Sequence, residues 1–580
     1  MFRKTILLIV LFLIGFAIGN TAKAADVNGY TAKYECIAGG TNCDVDVAAL
    51  TSAACQQTIN TTDAWSTINW AADVICLTTG DHSAKGRLDL GSSGTSGTRK
   101  VLRMPTGSDD DPWDQTAGNR AKIYALATNA QDYWIIHRIT IDGDYGSSYG
   151  LWIDDGSDNN IISRVLIEQA DNDLIYVYRA GATGTPDSNT IQNSVIRDTK
   201  VSNTLENDCI TISDATNTHI VNNEIYGCNK MIFTQERQDS SGLVVENNDL
   251  YEDSADYTNC SGGAGTTCGI AEALISLKDG ADTSANPVQI IQNRIWGARE
   301  VDPTIGQPSI STCISVSAGG TAGIQPSDGN GASYVLFKNN ICFDSELGIN
   351  NYWNGPQYNS FIGNIFWDIN RTHNLYEEYV EQGAISYWRL DKSEFYLNTI
   401  IGSEQWLWTA SSTADYHDYR CNVMIDSGAK TGSDNGNTQY DYNVYYGTTS
   451  SGETNKLGNY TLNTRANSTA YSLGAIIRTT ATPPQDGTAG DFLYIVTTAG
   501  TSAGSPPSYT TTLGGTTTDG TMVVKAIRGP YSFWRKLRTT ADQVFIPYAK
   551  VHNSAPEYNY CPNTTGNRAS IGISDQTGTW

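Results

Sequence analysis

Short apolar runs, each followed by Asn, one further residue and another apolar residue, recur along the middle of the chain. The repeated Asn residues are Asn193, Asn223, Asn248, Asn293, Asn339, Asn364, Asn398, Asn422 and Asn443. Two earlier copies of the repeat carry His137 and Ser163 at the position of the Asn. The steps along this series are 26, 30, 30, 25, 45, 46, 25, 34, 24 and 21 residues. Repetition at this spacing is typical of proteins built from stacked coils.

The apolar runs themselves are typical of β-strands. Residues 191–196 and 396–401 are rich in Ile, Val and Tyr. A second strand-like run precedes the Asn of each coil, for example at 151–154 and 209–213, and long amphipathic helical runs are almost absent. One such coil cannot bury its apolar face alone, so the coils must stack, at about 4.8 Å per step. The pattern predicts an all-β fold, a right-handed parallel β-helix about 50 Å long.

The repeated Asn suits this fold in two ways. Asn tolerates the left-handed backbone conformation that a tight turn between two strands requires. Stacked Asn amides also form hydrogen bonds from one coil to the next. Both roles make the Asn residues part of the scaffold.

The chain divides into three regions. Residues 1–24 resemble a secretory signal, with Arg3 and Lys4 before an apolar segment at 6–18 and a cleavage site at 22–24; an uncleaved membrane anchor is the alternative. Residues 25–455 form the predicted β-helix with its N-terminal region. Residues 456–580 are dense in Gly and Thr and are predicted to form a small β module followed by a segment that closes the stack. Long loops are expected near 252–272 and 298–333, on either side of Lys278.

The composition excludes some classes of binding partner and indicates the cellular compartment. The net charge of −24 argues against nucleic acid and against anionic membranes once the signal is removed. The twelve cysteines indicate an oxidising compartment, so we expect a protein that is secreted, at the cell surface or in the periplasm. Two pairs, Cys36/Cys43 and Cys260/Cys268, are close enough in sequence to form disulfides within loops. Cys209 and Cys228 fall near the starts of successive coils.

Several phrases resemble the pectate-lyase-like superfamily of right-handed parallel β-helix proteins. Residues 74–81 with 93–97, and then 134–143, are similar to the first coils of many polysaccharide lyases. Residues 275–280, followed by 290–297, are similar to the lysine-bearing coil of the alginate lyase and chondroitinase B group. The resemblance implies a polysaccharide lyase acting on an acidic glycan. Residues 485–527 resemble Gly/Thr-rich modules of phage tail and surface fibre proteins.

Aligning the strands that precede each Asn places one column of side chains on an outer face. Successive coils contribute Asp154/Asp155, Tyr178/Arg179, Ser213/Asp214, Gln235/Glu236, Lys278/Asp279 and Ser317/Ala318. The column mixes both charges, whereas the face of a purely structural β-helix would more often carry Thr, Ser and Asn. The column is therefore the predicted site of chemistry.

Lyase chemistry needs a neutralised uronate carboxylate, a base for the C5 proton and an acid for the leaving oxygen. We predict Lys278 as the base and Arg299 or Arg294 as the group that binds the carboxylate or acts near the leaving oxygen; in the lyases resembled, a lysine and an arginine carry these roles. Glu236 is also placed in the catalytic set. Possible calcium ligands, which could instead orient Lys278, are Asp214, Glu236 and Asp279. Predicted substrate-binding residues are Arg179, Trp296 and Arg237.

Other interpretations stay open. Lys278 could be a solvated lysine paired with Asp279 or Glu236, and Arg299 could form a loop salt bridge. A glycoside hydrolase would need two carboxyl groups about 5–9.5 Å apart, which Asp214 and Glu236 on neighbouring coils would satisfy. A non-catalytic, glycan-binding surface or fibre protein is the third possibility, because the fold alone does not define function.

Overall fold

A computed structural model of the protein describes most of the central chain and part of the C-terminal region. The described residues are 51–105, 120–179, 184–199, 207–235, 239–252, 273–278, 280–281, 285–298, 312–316, 332–351, 358–370, 383–387, 393–409, 417–420, 422–425, 427–432, 438–441, 443–446, 458–460, 462–473, 475–479, 493–510 and 515–528. The predicted signal at 1–24 and the predicted closing segment after 528 lie outside these residues.

Three long parallel sheets, here called A, B and C, make up the main body of the described chain. Sheet A contains Gln57–Ile59, Val74–Leu77, Lys100–Arg103, Trp134–His137, Ile161–Ser163, Thr190–Gln192, His219–Val221, Val244–Glu246, Val288–Ile291, Val335–Lys338, Ser360–Ile362, Glu394–Tyr396, Asp418–Arg420 and Gln439–Asp441. Sheet B contains Gly80–Asp81, Ala121–Ile123, Thr140–Asp142, Leu166–Glu168, Val195–Arg197, Glu224–Tyr226, Asp249–Tyr251, Arg294–Trp296, Ile341–Ser345, Ile365–Ile369, Thr399–Ile401, Val423–Ile425, Val444–Tyr446 and Gly458–Tyr460. Sheet C contains Leu88–Asp89, Leu126–Ala127, Leu151–Asp154, Ile175–Tyr178, Asp208–Ser213, Lys230–Thr234, Ala273–Leu277, Thr312–Val316, Leu347–Asn351, Gly383–Tyr387, Trp408–Thr409 and Thr431–Gly432.

Each coil adds its strands in the order C, A, B, and every neighbour within a sheet comes from the next coil. This arrangement confirms the predicted right-handed parallel β-helix. The only helical segments among the described residues are two short 3-10 turns, Trp65–Thr67 and Ser83–Lys85. In the described part of the chain, no helix has the length and apolar character needed to cross a membrane.

One continuous apolar core fills the interior. Ile153, Val177 and Ile212 pair in register on consecutive coils of sheet C, and all three side chains are buried in the same cluster. Phe337 and Phe361 stack in the same way on sheet A, with ring centroids 4.7 Å apart. Because each coil rests on the one before it, the apolar surface that a single coil would expose is covered by its neighbours.

A ladder of buried Asn amides runs along the tight turn between sheets A and B. The members are Asn223, Asn248, Asn293, Asn340, Asn364, Asn398, Asn422 and Asn443. At each step the side-chain oxygen of one Asn accepts from both the backbone N–H and the amide of the Asn one coil earlier, as between Asn293 and Asn340, at 3.0 Å each. The predicted hydrogen-bonded column of Asn residues is therefore confirmed.

At some coils the sequence predicts the wrong residue of the turn as the member of the Asn ladder. Asn193 and Asn339 occupy the preceding turn position, with φ of 50° and 58°, and the ladder passes through Ser194 and Asn340 instead. His137 and Ser163 are the last residues of sheet A strands, before that turn. The turn thus has two adjacent positions with different demands: the first needs the left-handed conformation, and the second needs a buried amide.

Disulfides connect residues of the same coil or of neighbouring coils within the described chain. The pairs are Cys55–Cys76, Cys209–Cys228 and Cys313–Cys342. The predicted loop pairs Cys36/Cys43 and Cys260/Cys268 lie outside the described residues. The three bridges that are described fit an oxidising compartment.

The C-terminal part contains a separate small β structure. Its five-stranded sheet comprises Leu462–Thr464, Ile476–Arg478, Leu493–Thr498, Thr516–Asp519 and Met522–Arg528, beside a two-stranded pair of Ala470–Tyr471 and Gly500–Thr501. Most pairings are antiparallel, unlike those of the β-helix. Its apolar core includes Ile477, Tyr494 and Val524. The C-terminal part is β-rich, as predicted, and has its own core.

Candidate functional site

The candidate site is the outer face of sheet C, here called the sheet C face. Along Leu151–Asp154 and Ile175–Tyr178 the side chains alternate between the core and this face, because successive residues of a strand point to opposite sides. Asp154 pairs with Tyr178 and Tyr178 with Ser213. The backbone N–H of Gln235 donates to Ile212 (2.9 Å), and that of Lys278 donates to Thr234 (3.3 Å). These bonds continue the register and confirm the predicted column as far as Lys278.

Lys278 ends this described column beside an aromatic ring. Its Nζ lies 5.3 Å from the ring centroid of Phe233, on the preceding coil. Its backbone N–H also donates to Thr234 Oγ1 at 3.1 Å, which anchors the residue immediately after the strand ends. The contact of an ammonium group with a ring face is a weak attraction, and the apolar ring limits the water around the amine.

Three tyrosines stand on the same face, three to four coils before Lys278. The Tyr149 and Tyr176 rings stack with centroids 4.9 Å apart, and the Tyr176 and Tyr178 rings with centroids 4.8 Å apart. The Tyr176 hydroxyl donates to Gln235 Oε1 at 3.4 Å. Burial raises the pKa of Tyr176 above its ordinary value, and the nearby Tyr149 and Asp173 raise it further. The phenol therefore keeps its proton at neutral pH and can act as a proton donor.

Arg179 and Asp214 form an ion pair at the end of the sheet C face, with Nη1 and Oδ2 2.9 Å apart. The side chains are 39% and 18% exposed, so a ligand can reach them. Asp214 is thus the only predicted calcium ligand among the described residues, and its charge is balanced by Arg179. Glu236 and Asp279 lie outside the described residues. Within the described part of the chain, no three His, Cys, Asp or Glu side chains are grouped as a metal site requires. Calcium stays a prediction, and no step is derived through it.

Two predicted site residues lie on a different sheet from Lys278. Arg294 is on sheet B, is 5% exposed, and pairs with Asp249 through an Nε to Oδ1 contact of 2.5 Å. Trp296 is stacked between Tyr251 and Phe343, with centroid distances of 4.4 and 5.3 Å. Both faces of the indole are therefore covered by neighbouring rings. Neither residue is brought to the sheet C face, so we keep neither in the proposed reaction.

The remaining predicted site residues lie outside the described part of the chain; they are Arg299, Glu236, Arg237 and Asp279. Their roles stay predictions.

The structure also groups three charged residues that sequence reasoning missed. Asp173, Asp208 and Lys230 lie on consecutive coils at the beginning of the sheet C strands and are 8%, 1% and 1% exposed. Asp208 N–H donates to Asp173 Oδ1 at 3.1 Å, and Lys230 Nζ lies 3.7 Å from Asp208 Oδ1. A repeated phrase was the available signal: Asn, then the charged residue, an apolar residue and Ile, at 172–175, 207–210 and 229–232.

The two carboxyl groups of this cluster differ in ionisation. Burial, and next the adjacent Asp208 carboxylate, hold the pKa of Asp173 well above its ordinary value. Asp208 has the Lys230 ammonium beside it, and Thr211 Oγ1 donates to its Oδ2 at 3.4 Å. Since positive charge favours the carboxylate form, the proton belongs on Asp173 and the negative charge on Asp208.

The raised pKa of Asp173 predicts a pH-dependent stability. The folded state binds this proton more tightly than the unfolded state, so the stability contributed by protonation is lost as pH rises from the ordinary Asp pKa through the raised one. We expect Asp173→Asn, which keeps the acceptor oxygen for Asp208 N–H, to be at least as stable as the wild type at neutral pH. The groups that face Asp173 are Asp208, Lys230, Tyr149 and Tyr176.

Urea unfolding between acidic and neutral pH measures this effect. The advantage of Asp173→Asn should shrink as pH falls and disappear once Asp173 is protonated in both states. A variant that loses stability at neutral pH, and not at acidic pH, would contradict the assignment.

No model of a known protein family matches the chain, and neither does any curated protein. Similar solved structures include an alginate lyase from Paenibacillus sp. str. FPU-7, with 17% identity over 55% of this chain and 99% of that chain and a TM-score of 0.37. A mannuronic acid specific family 6 polysaccharide lyase from human gut microbiota shows 13% identity over 68% and 81% of the two chains, with a TM-score of 0.40. The surface adhesin PfbA of Streptococcus pneumoniae shows 14% identity over 73% and 88%, with a TM-score of 0.36. The three parallel sheets by themselves establish that the chain is a right-handed parallel β-helix.

Proposed function

We propose that the protein binds an acidic polysaccharide along the sheet C face and cleaves it by β-elimination, with Lys278 as the base. The observation that carries this proposal is the meeting of Lys278 and the Tyr176 hydroxyl at Gln235. The hydroxyl donates to Gln235, and Gln235 is the neighbour of Lys278 in the column. Gln235 therefore lies between the proposed base and the proposed proton donor.

In this reaction Lys278 acts as the base that takes the C5 proton of a uronate. The electrons of the C–H bond form the new C4–C5 double bond, and the bond from C4 to the glycosidic oxygen breaks. Tyr176, which is protonated at neutral pH, donates its proton to that leaving oxygen. The result is one chain with a new end and one chain with an unsaturated uronate.

Arg179, three coils before Lys278, is a cation of the sheet C face that can bind a carboxylate of the same glycan. A planar guanidinium can form paired hydrogen bonds with a carboxylate, and Arg179 uses only one nitrogen, Nη1, to bind Asp214. A substrate carboxylate would compete with Asp214 or share the remaining donors.

The three disulfides support an exported protein, because such bridges persist in oxidising compartments. A polysaccharide substrate outside the cell is consistent with that location. We therefore propose a secreted or surface-located enzyme.

The activity is tested by incubating the full-length protein with alginate, pectate and glycosaminoglycans. Elimination creates a conjugated double bond, and its ultraviolet absorbance should rise with time on at least one substrate. The proposal fails if the wild type produces no such absorbance on any uronan. Retention on immobilised glycan without absorbance would instead support a binding protein.

A further inference from the structure

One turn position between sheets C and A has the left-handed backbone conformation on many coils. The register of sheet A aligns seven described residues at this position, and their φ values lie between 49° and 73°. They are Tyr133, Asn159, Ser188, Asn217, Gly242, Tyr334 and Tyr358. Gly and Asn adopt a positive φ readily, whereas a bulky side chain such as that of tyrosine adopts it at a cost. Because residues held in unfavourable conformations cluster at functional sites, the tyrosines at this position are candidates for binding a ligand.

Two of these tyrosines, Tyr334 and Tyr358, stand on adjacent coils and form a partly exposed stack. Their ring centroids are 5.2 Å apart, and the ring planes differ by 5°. Tyr334 is half-buried and packs against the apolar core, of which Tyr358 is not a part. Tyr358 is 46% exposed, more than any other Tyr, Trp or Phe whose burial the structure describes. A ligand can therefore reach the Tyr358 ring from solvent.

The pair stands directly beyond Lys278 along the stack of coils. The segment that follows Lys278 is joined to the residue before Tyr334, because the Ala281 N–H donates to Ser333 O at 3.0 Å. Lys278 and Ala281 are three residues apart, a distance that the chain spans in at most about 10 Å. Tyr358 follows one coil after Tyr334, about 4.8 Å further along the axis.

We propose that Tyr358, supported by Tyr334, is a glycan-binding platform on which a sugar unit of the bound polysaccharide rests beyond Lys278. Arg179 lies three coils before Lys278, and the tyrosine pair lies one and two coils after it. A polysaccharide laid along the axis of the stack would therefore contact the protein on both sides of Lys278. This platform rests on the proposed elimination for the identity of the glycan, and it adds a second contact and a direction for the bound chain.

The chemistry of the platform favours the apolar face of a sugar ring. A tyrosine ring offers a broad, rigid surface on which the C–H groups of a sugar can pack while its hydroxyls stay in water. Tyr334 already holds the Tyr358 ring in place, so binding costs little side-chain entropy. Because the contact does not depend on a carboxylate, the platform accepts a uronate or a neutral sugar unit.

The turn itself supplies a substitution that removes the ring and suits the backbone. Asn159 and Asn217 occupy the same position on other coils, so Tyr358→Asn places there a residue that tolerates the φ of 58°. We expect this variant to be at least as stable as the wild type in urea. Tyr358→Phe keeps the ring and should bind glycan as the wild type does. Tyr133→Asn is the matched control, since Tyr133 has the same turn position, with a φ of 57°, but lies five coils before the coil of Lys278.

Binding is measured on the full-length protein carrying Lys278→Arg, which keeps the positive charge and is not expected to cleave the glycan. Electrophoresis in native gels that contain alginate, pectate or a glycosaminoglycan gives the dissociation constant from the retardation of the band. On the glycan that retards this protein, adding Tyr358→Asn should raise the dissociation constant about 10-fold, the loss expected for one aromatic contact. Adding Tyr358→Phe or Tyr133→Asn should leave the dissociation constant nearly unchanged.

The platform would be overturned by an unchanged dissociation constant in Tyr358→Asn, by an equal rise in Tyr133→Asn, or by the absence of retardation in all of these gels. A Tyr358→Asn variant that is less stable and binds as before would show a packing role instead. Failure of the elimination has a different signature: the wild type would form no unsaturated product, while retardation would still depend on Tyr358. Elimination together with binding that does not depend on Tyr358 would overturn the platform alone.

Discussion

Lys278→Ala is expected to lower kcat/KM for elimination on the uronan substrate by at least about 100-fold, because removal of a general base typically costs that much or more. The side chain stands at the end of the described column, with its ammonium group 5.3 Å from the Phe233 ring and its backbone anchored on Thr234. Alanine keeps that backbone hydrogen bond and removes the side chain beyond Cβ, including the amine. The variant should therefore fold as the wild type does.

The variant Lys278→Arg distinguishes two possible roles of Lys278, as a base and as a positive charge. A guanidinium remains protonated in proteins, so it can bind a carboxylate but cannot take a proton at neutral pH. We expect the arginine variant to be nearly as inactive as the alanine variant while KM changes less. Initial rates of unsaturated-product formation measure both effects.

Lys525→Ala is the control for loss of one lysine, since Lys525 is exposed on the C-terminal sheet, away from the sheet C face. It should retain wild-type rates. Substantial activity in Lys278→Arg would show that charge, and not proton abstraction, is the contribution of Lys278, and the base would have to be sought elsewhere.

The second large effect is expected for stability, at Asn340. Its side-chain oxygen accepts from the backbone N–H and the amide of Asn293, and its own amide donates to Ile290 O at 2.7 Å and to Asn364 Oδ1 at 3.0 Å. Asn340→Ala would leave several buried polar groups without partners. Each orphaned group costs about 1–3 kcal/mol, so we expect a loss of about 2–4 kcal/mol in the free energy of unfolding.

The residue immediately before provides the matched comparison. Asn339 has a φ of 58°, and its buried side-chain amide has no hydrogen-bond partner. Glycine adopts this conformation readily, so Asn339→Gly should change the unfolding free energy by no more than about 0.5 kcal/mol. Urea unfolding followed by circular dichroism measures both variants. Equal losses at the two positions would contradict the division of roles within the turn.

The repeat could be recognised in the sequence because the features that produce it lie within each coil. Period-two strands, turn residues and one buried polar side chain per coil recur whatever the neighbouring coils contain. The sequence therefore predicted the parallel β-helix, the β-rich C-terminal part and the column from Asp154 to Lys278. It could not distinguish Asn339 from Asn340, because both are Asn and the choice depends on which one faces the amide of Asn293.

Only the tertiary structure decided which distant residues meet. Arg294 follows Lys278 closely in sequence, yet it lies on sheet B, where a carboxylate 45 residues earlier binds it. Asp173, Asp208 and Lys230 come together although unequal loops separate their coils. Loop length varies from coil to coil while the stacking of strands does not, so contacts across coils follow the sheet register and not the distance along the chain. The strand pattern and the fold were thus determined by the sequence alone, whereas the pairing of charges on each face was decided by how the coils stack.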